Sequence, residues 1–400
     1  MSAIKTITVM GATGSIGLST LALVRQFPEK FVVHGLVAGQ NVEKLAALAH
    51  EFMPKIVGID DANKLDALRS ALSRLPIEIV AGQAACTEIA TMPVDMVVAG
   101  IVGIAGLPSV LAAVNAQQTV ALANKEALVS AGSLVMRQAQ HHGAHILPLD
   151  SEHNAIFQCW QGWRGHQLHT TANADTTGLS HICLTASGGP FLDTPLDQLA
   201  EITPQQAVRH PNWEMGQKIS VDSATMMNKG LEVIEAHWLF DLAPTQIEVL
   251  IHPQQAVHGM VYFHDGSMVA QLAGADMRTP ISYALAWPER LNWTPDHLDL
   301  AALQKLEFAA VDEARFRCFH LARQTLTEGG VTSAVLNAAN EIAVAAFLQN
   351  KIGFLHIAEV VDTVLDQTIT GDLNSLEAIL AIDAEARHAA ADVVTKSQGY

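Results

Sequence analysis

The first residues with chemistry in them are two acids. An apolar run, residues 144–149, stops abruptly at Asp150-Ser151-Glu152-His153-Asn154. Read as the exit of a strand, this segment puts Asp150 and Glu152 on one face, because residues two apart in an extended chain point the same way. Two carboxylates side by side repel unless a cation or a proton lies between them. A hard divalent ion, Mg²⁺ or Mn²⁺, is the natural occupant. The same letters also fit a helix N-terminus, with Asp150 or Ser151 as cap and the acids favoured by the dipole. The segment alone does not choose between the two.

Further polar residues supply partners. Residues 220–237 read SVDSATMMNKGLEVIEAH. Lys229, with amide and hydroxyl neighbours, suits a phosphate. Glu232 follows Asn228 by one helical turn and can swing to a metal. Glu235 reads as the wet face of the same amphipathic helix. Residues 185–191, TASGGPF, form a hydroxyl–glycine loop whose backbone N–H groups can approach an anion. Residues 207–217 carry His210, Trp213 and Met215 among polar neighbours, the pattern of a lid that excludes water. Ala123-Asn124-Lys125-Glu126-Ala127 directly follows a strand and brings Lys125 to the same crevice.

A nucleotide signal stands at the start of the chain. In residues 7–17, ITVMGATGSIG, a strand ends at Met10 and Gly11-x-x-Gly14-x-x-Gly17 opens a helix. Gly11 permits the tight turn, Gly14 lets the backbone approach a pyrophosphate, and Gly17 lets helix and strand pack closely. The helix N-terminus then offers free N–H groups to the anion. The second strand ends Ala38-Gly39-Gln40-Asn41, without the acid that grips the ribose 2′-hydroxyl in NAD sites. That favours NADP, although the nearest base is Lys44. Short-chain dehydrogenase chemistry is excluded: none of Tyr262, Tyr283 and Tyr400 has a lysine four residues on.

The elements that must position these residues fall into three parts. Strand-like runs at 4–10, 31–38, 56–59, 96–99, 119–122 and 145–149 alternate with helical patterns, which predicts a parallel, doubly wound α/β sheet over residues 1–150. Residues 151–290 mix helices with apolar runs at 246–251 and 259–263, an α+β pattern. Residues 291–311 read as a linker. From 312 to 400 only helical periodicity remains, at 314–328, 333–349, 356–367 and 375–397, which predicts a helical bundle. Arg315, Arg317 and Arg323 read as a solvated helix face. His141, His142 and His145, His356, and Met226-Met227 read as surface or packing residues.

Bulk properties narrow the function. A net charge of −17 argues against a nucleic-acid partner, which needs a basic surface. Residues 97–114 run 18 residues without a charge, but Gly100, Gly103, Gly106 and Pro108 break them, so a buried strand, a turn and a helix are expected instead of a membrane span. Four cysteines, none in a C-x-x-C spacing, fit a reducing cytoplasm. No N-terminal targeting pattern is visible.

Taken together, these motifs resemble the 1-deoxy-D-xylulose 5-phosphate reductoisomerase family. The resemblance rests on GATGSIG (11–17), ALANKEALVSAG (121–132), LPLDSEHNAIFQ (147–158), TASGGPF (185–191), the long block 209–240, and the blocks 252–272, 276–291 and 335–348. It implies that a linear ketose phosphate is rearranged to a branched aldehyde, which NADPH reduces to 2-C-methyl-D-erythritol 4-phosphate. Carried over residue by residue, it implies that Asp150, Glu152 and Glu232 hold the metal, Mg²⁺ or Mn²⁺ with Co²⁺ as a substitute. Lys125 and Ser151 would contact the substrate. Ser187, Ser223, Asn228 and Lys229 would hold its phosphate, with His210 closing over it and Trp213 shielding the site. Thr13, Gly14, Ser15, Ile16, Gly39, Gln40, Asn41, Asn124, Glu126 and Gly216 would line the NADPH site. The family is homodimeric, which implies a dimer through residues 248–272. Two departures stand out: Gln40 replaces the family's usual lysine, and Ala275 its usual proline. A hydroxy-acid dehydrogenase would instead call for an arginine clamp between 185 and 230, where only Arg209 is found.

Overall fold

The computed structural model describes residues 4–163, 178–209, 216–295 and 297–397. Seven short strands form the first sheet: β1 (Lys5–Met10), β2 (Phe31–Ala38), β3 (Ile56–Ile59), β4 (Glu78–Ala81), β5 (Met96–Ala99), β6 (Thr119–Leu122) and β7 (His145–Pro148). Their order is β4-β3-β2-β1-β5-β6-β7, and every pairing is parallel. Strands such as Ile56–Ile59 and Met96–Ala99 are buried at every position, as a sheet covered on both faces requires. The expected doubly wound sheet is present, with one strand, β4, that sequence periodicity did not separate from the helices around it.

The chain reverses direction across this sheet at β1, which lies between β2 and β5. The glycine turn therefore sits at the switch point, at the carboxyl ends of the strands, where open α/β sheets bind ligands. Gly11 has φ +81°, and a Cβ there would stand 2.7 Å from the Gly100 carbonyl oxygen. A Cβ at Gly17 would stand 2.5 Å from the Gly11 carbonyl oxygen. Both glycines are required by close backbone approach.

A second sheet follows, with β8 (Leu179–Ala186), β9 (Ile247–Ile251), β10 (Val257–Phe263), β11 (Met268–Leu272) and β12 (Ala309–Ala310). Its order is β11-β10-β8-β9-β12. β8 lies at its centre, parallel to β9 and antiparallel to β10. β8 delivers the 187–191 loop to the cavity. The helix Ser151–Trp163 lies on β10, where a Cβ at Gly259 would meet the Glu152 carbonyl oxygen at 3.2 Å.

The C-terminal part is the expected helical bundle: Arg317–Glu328, Thr332–Leu348, His356–Leu365 and Leu376–Ser397. It packs on the helix Met227–Phe240, where Gly230 faces Ala322 so closely that a Cβ would stand 2.5 Å from the alanine methyl. The same helix approaches Lys125–His142 at Gly132, which accepts the Trp238 ring; a Cβ there would be 2.2 Å from it. The charge-free run 97–114 resolves into β5, a glycine turn and the helix Leu107–Asn115. Among the described residues no helix is long and apolar enough to cross a membrane.

Candidate active site

Both sheets and five helices converge on one cavity of about 360 Å³. Its wall runs from the glycine turn (Gly14, Ser15, Ile16) through Gly100–Val102 and Lys125 to Asp150–Glu152, Ser187, Ser223 and Asn228–Glu232. The glycine turn and a polar cluster thus share one space.

The cluster is built from three helix beginnings. β7 ends at Pro148, and the helix Ser151–Trp163 starts one residue after Asp150. The extended reading of Asp150-Ser151-Glu152 is therefore corrected: proline ends the strand, and the acids stand at a helix N-terminus. The metal reading and the helix reading were not alternatives, because the helix start is what aims both acids at Glu232. Oxygens of Asp150, Glu152 and Glu232 lie within 4.8 Å of one another. Lys125 begins the helix Lys125–His142, whose N-terminus Asn124 caps by accepting the Ala127 N–H at 2.7 Å. Lys125 Nζ reaches Asp150 Oδ2 at 2.5 Å, Glu232 Oε1 at 3.1 Å and Asn228 Oδ1 at 3.0 Å. Lys229 Nζ donates to Glu152 Oε1 at 2.6 Å and pairs with Glu232. Ser151 Oγ donates to Glu152 Oε2 at 2.6 Å.

The electrostatics are unbalanced. Burial and then the charge of Glu152 push the Glu232 carboxyl up to about 7, against the pull of Lys125 and Lys229. Burial also works against Asp150, but the Lys125 ammonium outweighs it and holds that carboxyl below the usual range. Two ammoniums among three carboxylates leave one negative charge uncompensated. A dication with oxygen ligands fits this donor set, since it would relieve the repulsion that raises Glu232.

A second layer lies beneath. His153 Nε2 bonds the Glu232 carbonyl oxygen at 2.8 Å, and Nδ1 faces Glu235 Oε2 at 3.4 Å. Both side chains are 0% exposed. Burial and then the Asp150 charge push the Glu235 carboxyl well above its ordinary value, while burial lowers His153 to about 4.

The comparisons with known proteins agree along the whole chain. Residues 7–132 match the family described as 1-deoxy-D-xylulose 5-phosphate reductoisomerase. Residues 146–240 match its C-terminal domain, and residues 272–389 match the DXP reductoisomerase C-terminal domain. The 1-deoxy-D-xylulose 5-phosphate reductoisomerase of Pseudomonas aeruginosa (strain UCBPP-PA14) is 49% identical over 402 residues, covering 100% of both chains. The chain belongs to the 1-deoxy-D-xylulose 5-phosphate reductoisomerase family. Among solved reductoisomerases, that of Zymomonas mobilis in complex with NADPH is 46% identical with a TM-score of 0.90, covering 98% of this chain and 99% of its own. Another, in complex with NADPH, fosmidomycin and magnesium, is 45% identical with a TM-score of 0.93, covering 99% and 100%.

Of the reductoisomerase residues expected from sequence, Gly14, Ser15, Ile16, Lys125, Glu126, Asp150, Ser151, Glu152, Ser187, Ser223, Asn228, Lys229 and Glu232 line the cavity. Thr13 sits in the glycine turn beside them. Gly39, Gln40 and Asn41 are exposed at the end of β2, and Asn41 caps the next helix by accepting the Lys44 N–H at 2.9 Å. Asn124 is buried, and its amide donates to the Ile101 and Gly103 carbonyls at 2.5 and 2.8 Å. Gly216 caps the helix Gln217–Ala224. His210 and Trp213 lie outside the described residues.

Two surface assignments are overturned. Glu235 is not on a wet face; it is buried beneath the cluster, because its helix is covered on all sides. Arg315 and Arg323 are not simply solvated: Arg315 donates to the Thr194 carbonyl at 2.6 Å and to that of Phe191, and Arg323 to that of Ile247 at 3.1 Å. Sequence reasoning also passed over His153 and Lys218. His153 was hidden by its place inside an amphipathic helix. Lys218 carried a signal, an acid four residues on at Asp222.

Proposed function

We propose that this protein converts 1-deoxy-D-xylulose 5-phosphate to 2-C-methyl-D-erythritol 4-phosphate by a rearrangement followed by an NADPH-dependent reduction, the reaction of its family in the non-mevalonate isoprenoid precursor pathway. The observation that carries this reading is the single cavity joining the glycine turn to the Asp150–Glu152–Glu232 cluster. Membership of the family and the NADPH and magnesium complexes of its relatives support it.

In this reading Asp150, Glu152 and Glu232 hold Mg²⁺ or Mn²⁺, with Co²⁺ as a substitute. When bound, the cation polarises the substrate's carbonyl and hydroxyl oxygens and NADPH delivers hydride. Lys125 Nζ, already between Asp150 and Glu232, orients the carboxylates and donates to substrate oxygen. Ser151 Oγ, at the start of the helix Ser151–Trp163, orients Glu152 and also donates to substrate oxygen. Ser187, Ser223, Asn228 and Lys229 bind the phosphate, with His210 and Trp213 closing over it and excluding water. Binding the phosphate, remote from the reacting carbons, helps hold them in register. Gly14, Ser15 and Ile16 offer a helix N-terminus to the NADPH pyrophosphate. Thr13, Gly39, Gln40, Asn41, Asn124, Glu126 and Gly216 complete the cofactor site.

The organisation that goes with this reading is an NADPH-binding domain (1–150), a catalytic and dimerisation domain (151–290), a linker (291–311) and a helical bundle (312–400), in a cytoplasmic homodimer. The exposed edge strand β11, with Met268 and Val269 turned outward, supports a dimer through 248–272.

The deciding experiment follows NADPH absorbance when purified protein is mixed with 1-deoxy-D-xylulose 5-phosphate and Mg²⁺, with EDTA and NADH in parallel. Oxidation that stops with EDTA is expected, and the NADH trace reads out what Gln40 contributes. A protein that binds NADPH and Mg²⁺ but oxidises neither cofactor would fail this reading.

A further inference from the structure

The helix Lys125–His142 and the helix Gln217–Ala224 both border the cavity, and they are joined by one ammonium. Lys218 Nζ stands 2.9 Å from Glu126 Oε1 and 2.9 Å from Asp222 Oδ2. Glu126 is the neighbour of Lys125, in the first turn of its helix. Asp222 is the neighbour of Ser223, one turn along from Lys218. Both carboxylates are nearly closed to solvent, with side-chain exposures of 5% and 1%. The other oxygen of Asp222 accepts from Asn340 Nδ2 at 2.8 Å, on the bundle helix Thr332–Leu348. Lys218 therefore ties together the helix that presents Lys125, the helix that presents Ser223, and, through Asp222, the C-terminal bundle.

We propose that Lys218 is a positioning residue: by bridging Glu126 and Asp222 it fixes the spacing between Lys125 and Ser223, across which the substrate must lie. This rests on the reading above, in which Lys125 meets the reacting end of the substrate and Ser223 its phosphate.

The physical argument starts from the two acids. Without the ammonium they are two buried negative charges facing a common space, and a buried carboxylate without a partner is strongly unfavourable. The helices must then separate, admit water or take up protons. Burial by itself would disfavour the charged lysine, but Asp222 and Glu126 outweigh it and keep the bridge ionised. A substrate held at both ends is sensitive to such a shift, because misplacing reacting groups by about 1 Å costs roughly a hundredfold in rate.

Three variants test this: Lys218→Met, Lys218→Arg and Asn340→Ala. The last removes a partner of Asp222 without changing charge, from outside the cavity lining. For each, kcat and substrate KM are measured with NADPH and Mg²⁺, inorganic phosphate affinity is measured by calorimetry, and folding is checked by the thermal midpoint. Lys218→Met is expected to raise KM by about tenfold or more and to lower kcat, and to weaken phosphate binding. Lys218→Arg, whose fork can span both acids, restores most of both. Asn340→Ala moves KM the same way by a smaller factor. The proposal is overturned if Lys218→Met changes only the thermal midpoint, or if Lys218→Arg is as impaired as Lys218→Met. It is also overturned if Asn340→Ala is silent while Lys218→Met is not, since Lys218 would then act by its own charge on the ligand. If the wild type does not turn over this substrate, the proposed reaction fails by itself. Phosphate affinity then decides the role of Lys218: weaker binding in Lys218→Met and Asn340→Ala with Lys218→Arg at wild type supports it, and equal binding in all forms overturns it.

Discussion

Asp150, Glu152 and Glu232 crowd their oxygens within 4.8 Å of one another, whereas Glu341 and Asp383 stand on either side of one guanidinium. In that second cluster, Arg387 Nη2 reaches Glu341 at 2.5 Å and Nε reaches Asp383 at 2.6 Å. Both clusters gather acids and bases at least partly out of bulk water. In the bundle, the acids are separated by their base, and the arrangement is the end of the story. At the cavity each lysine also bridges two acids, but two ammoniums serve three crowded carboxylates, so repulsion persists, and burial together with it pushes Glu232 up to about 7. The difference teaches how charge is used: a repulsion left unresolved beside a cavity is what a cation could relieve, and a resolved one is a fastener.

Removing one charge from each cluster should separate the two roles most sharply. Glu232→Gln is expected to lower Mg²⁺-dependent turnover by about a thousandfold or more, the scale of losing several kcal/mol of Lewis-acid stabilisation. In EDTA the same variant should match or exceed the wild-type thermal midpoint, because it removes repulsion. A clear loss of stability would mean that Glu232 is a structural partner of the lysines instead.

Acidity gives the next largest effect. Glu232 must give up its proton to ligate a cation, so Mg²⁺ affinity measured by calorimetry should rise by up to about tenfold per pH unit between pH 6 and 7 and level off above. The metal-free protein should respond in the opposite sense. Its raised Glu232 keeps a proton that the unfolded chain releases, so the Glu232 contribution to stability in EDTA, read as wild type against Glu232→Gln, should fall as pH rises from the ordinary carboxylate range to about 7. A flat affinity profile would break the comparison at its centre.

The smallest effects belong to the bundle. Glu341→Gln is expected to lower the thermal midpoint by a few degrees, roughly, as partial loss of a half-buried pair implies. Its kcat should stay within about threefold of wild type. A large loss of turnover would show that the bundle cluster also governs the cavity, through the Gly103 loop that Glu341 adjoins.

Much of this was legible in the sequence, for definite reasons. Fully apolar four-residue strands between helical runs, such as Met96–Ala99, announce a parallel sheet covered on both faces. The glycine spacing of 11–17 placed a turn whose close contacts with Gly100 leave no room for a side chain. The acids of 150–152 were found by type and crowding, but their local geometry was misread, because a Pro148 that closes a strand is also consistent with its continuing. β8 went unseen as a strand, although it is the centre of its sheet, since its partners come from residues far along the chain. Glu235 and Lys218 were missed for a related reason. Whether a charged residue on a helix is wet or buried depends on what covers that helix, and here the cover is supplied by other helices and the second sheet.

The gap between the helices Lys125–His142 and Met227–Phe240 is set at Gly132, against the Trp238 ring. Lys125 and Glu232, at the cavity ends of those helices, reach each other only while that gap is narrow. The width of the site is thus inherited from a missing side chain further down the helix. For anyone re-engineering or tracing the history of this scaffold, positions 132 and 238 form one unit: they can drift only together, and a change at either alone would rescale the active site without touching a residue in it.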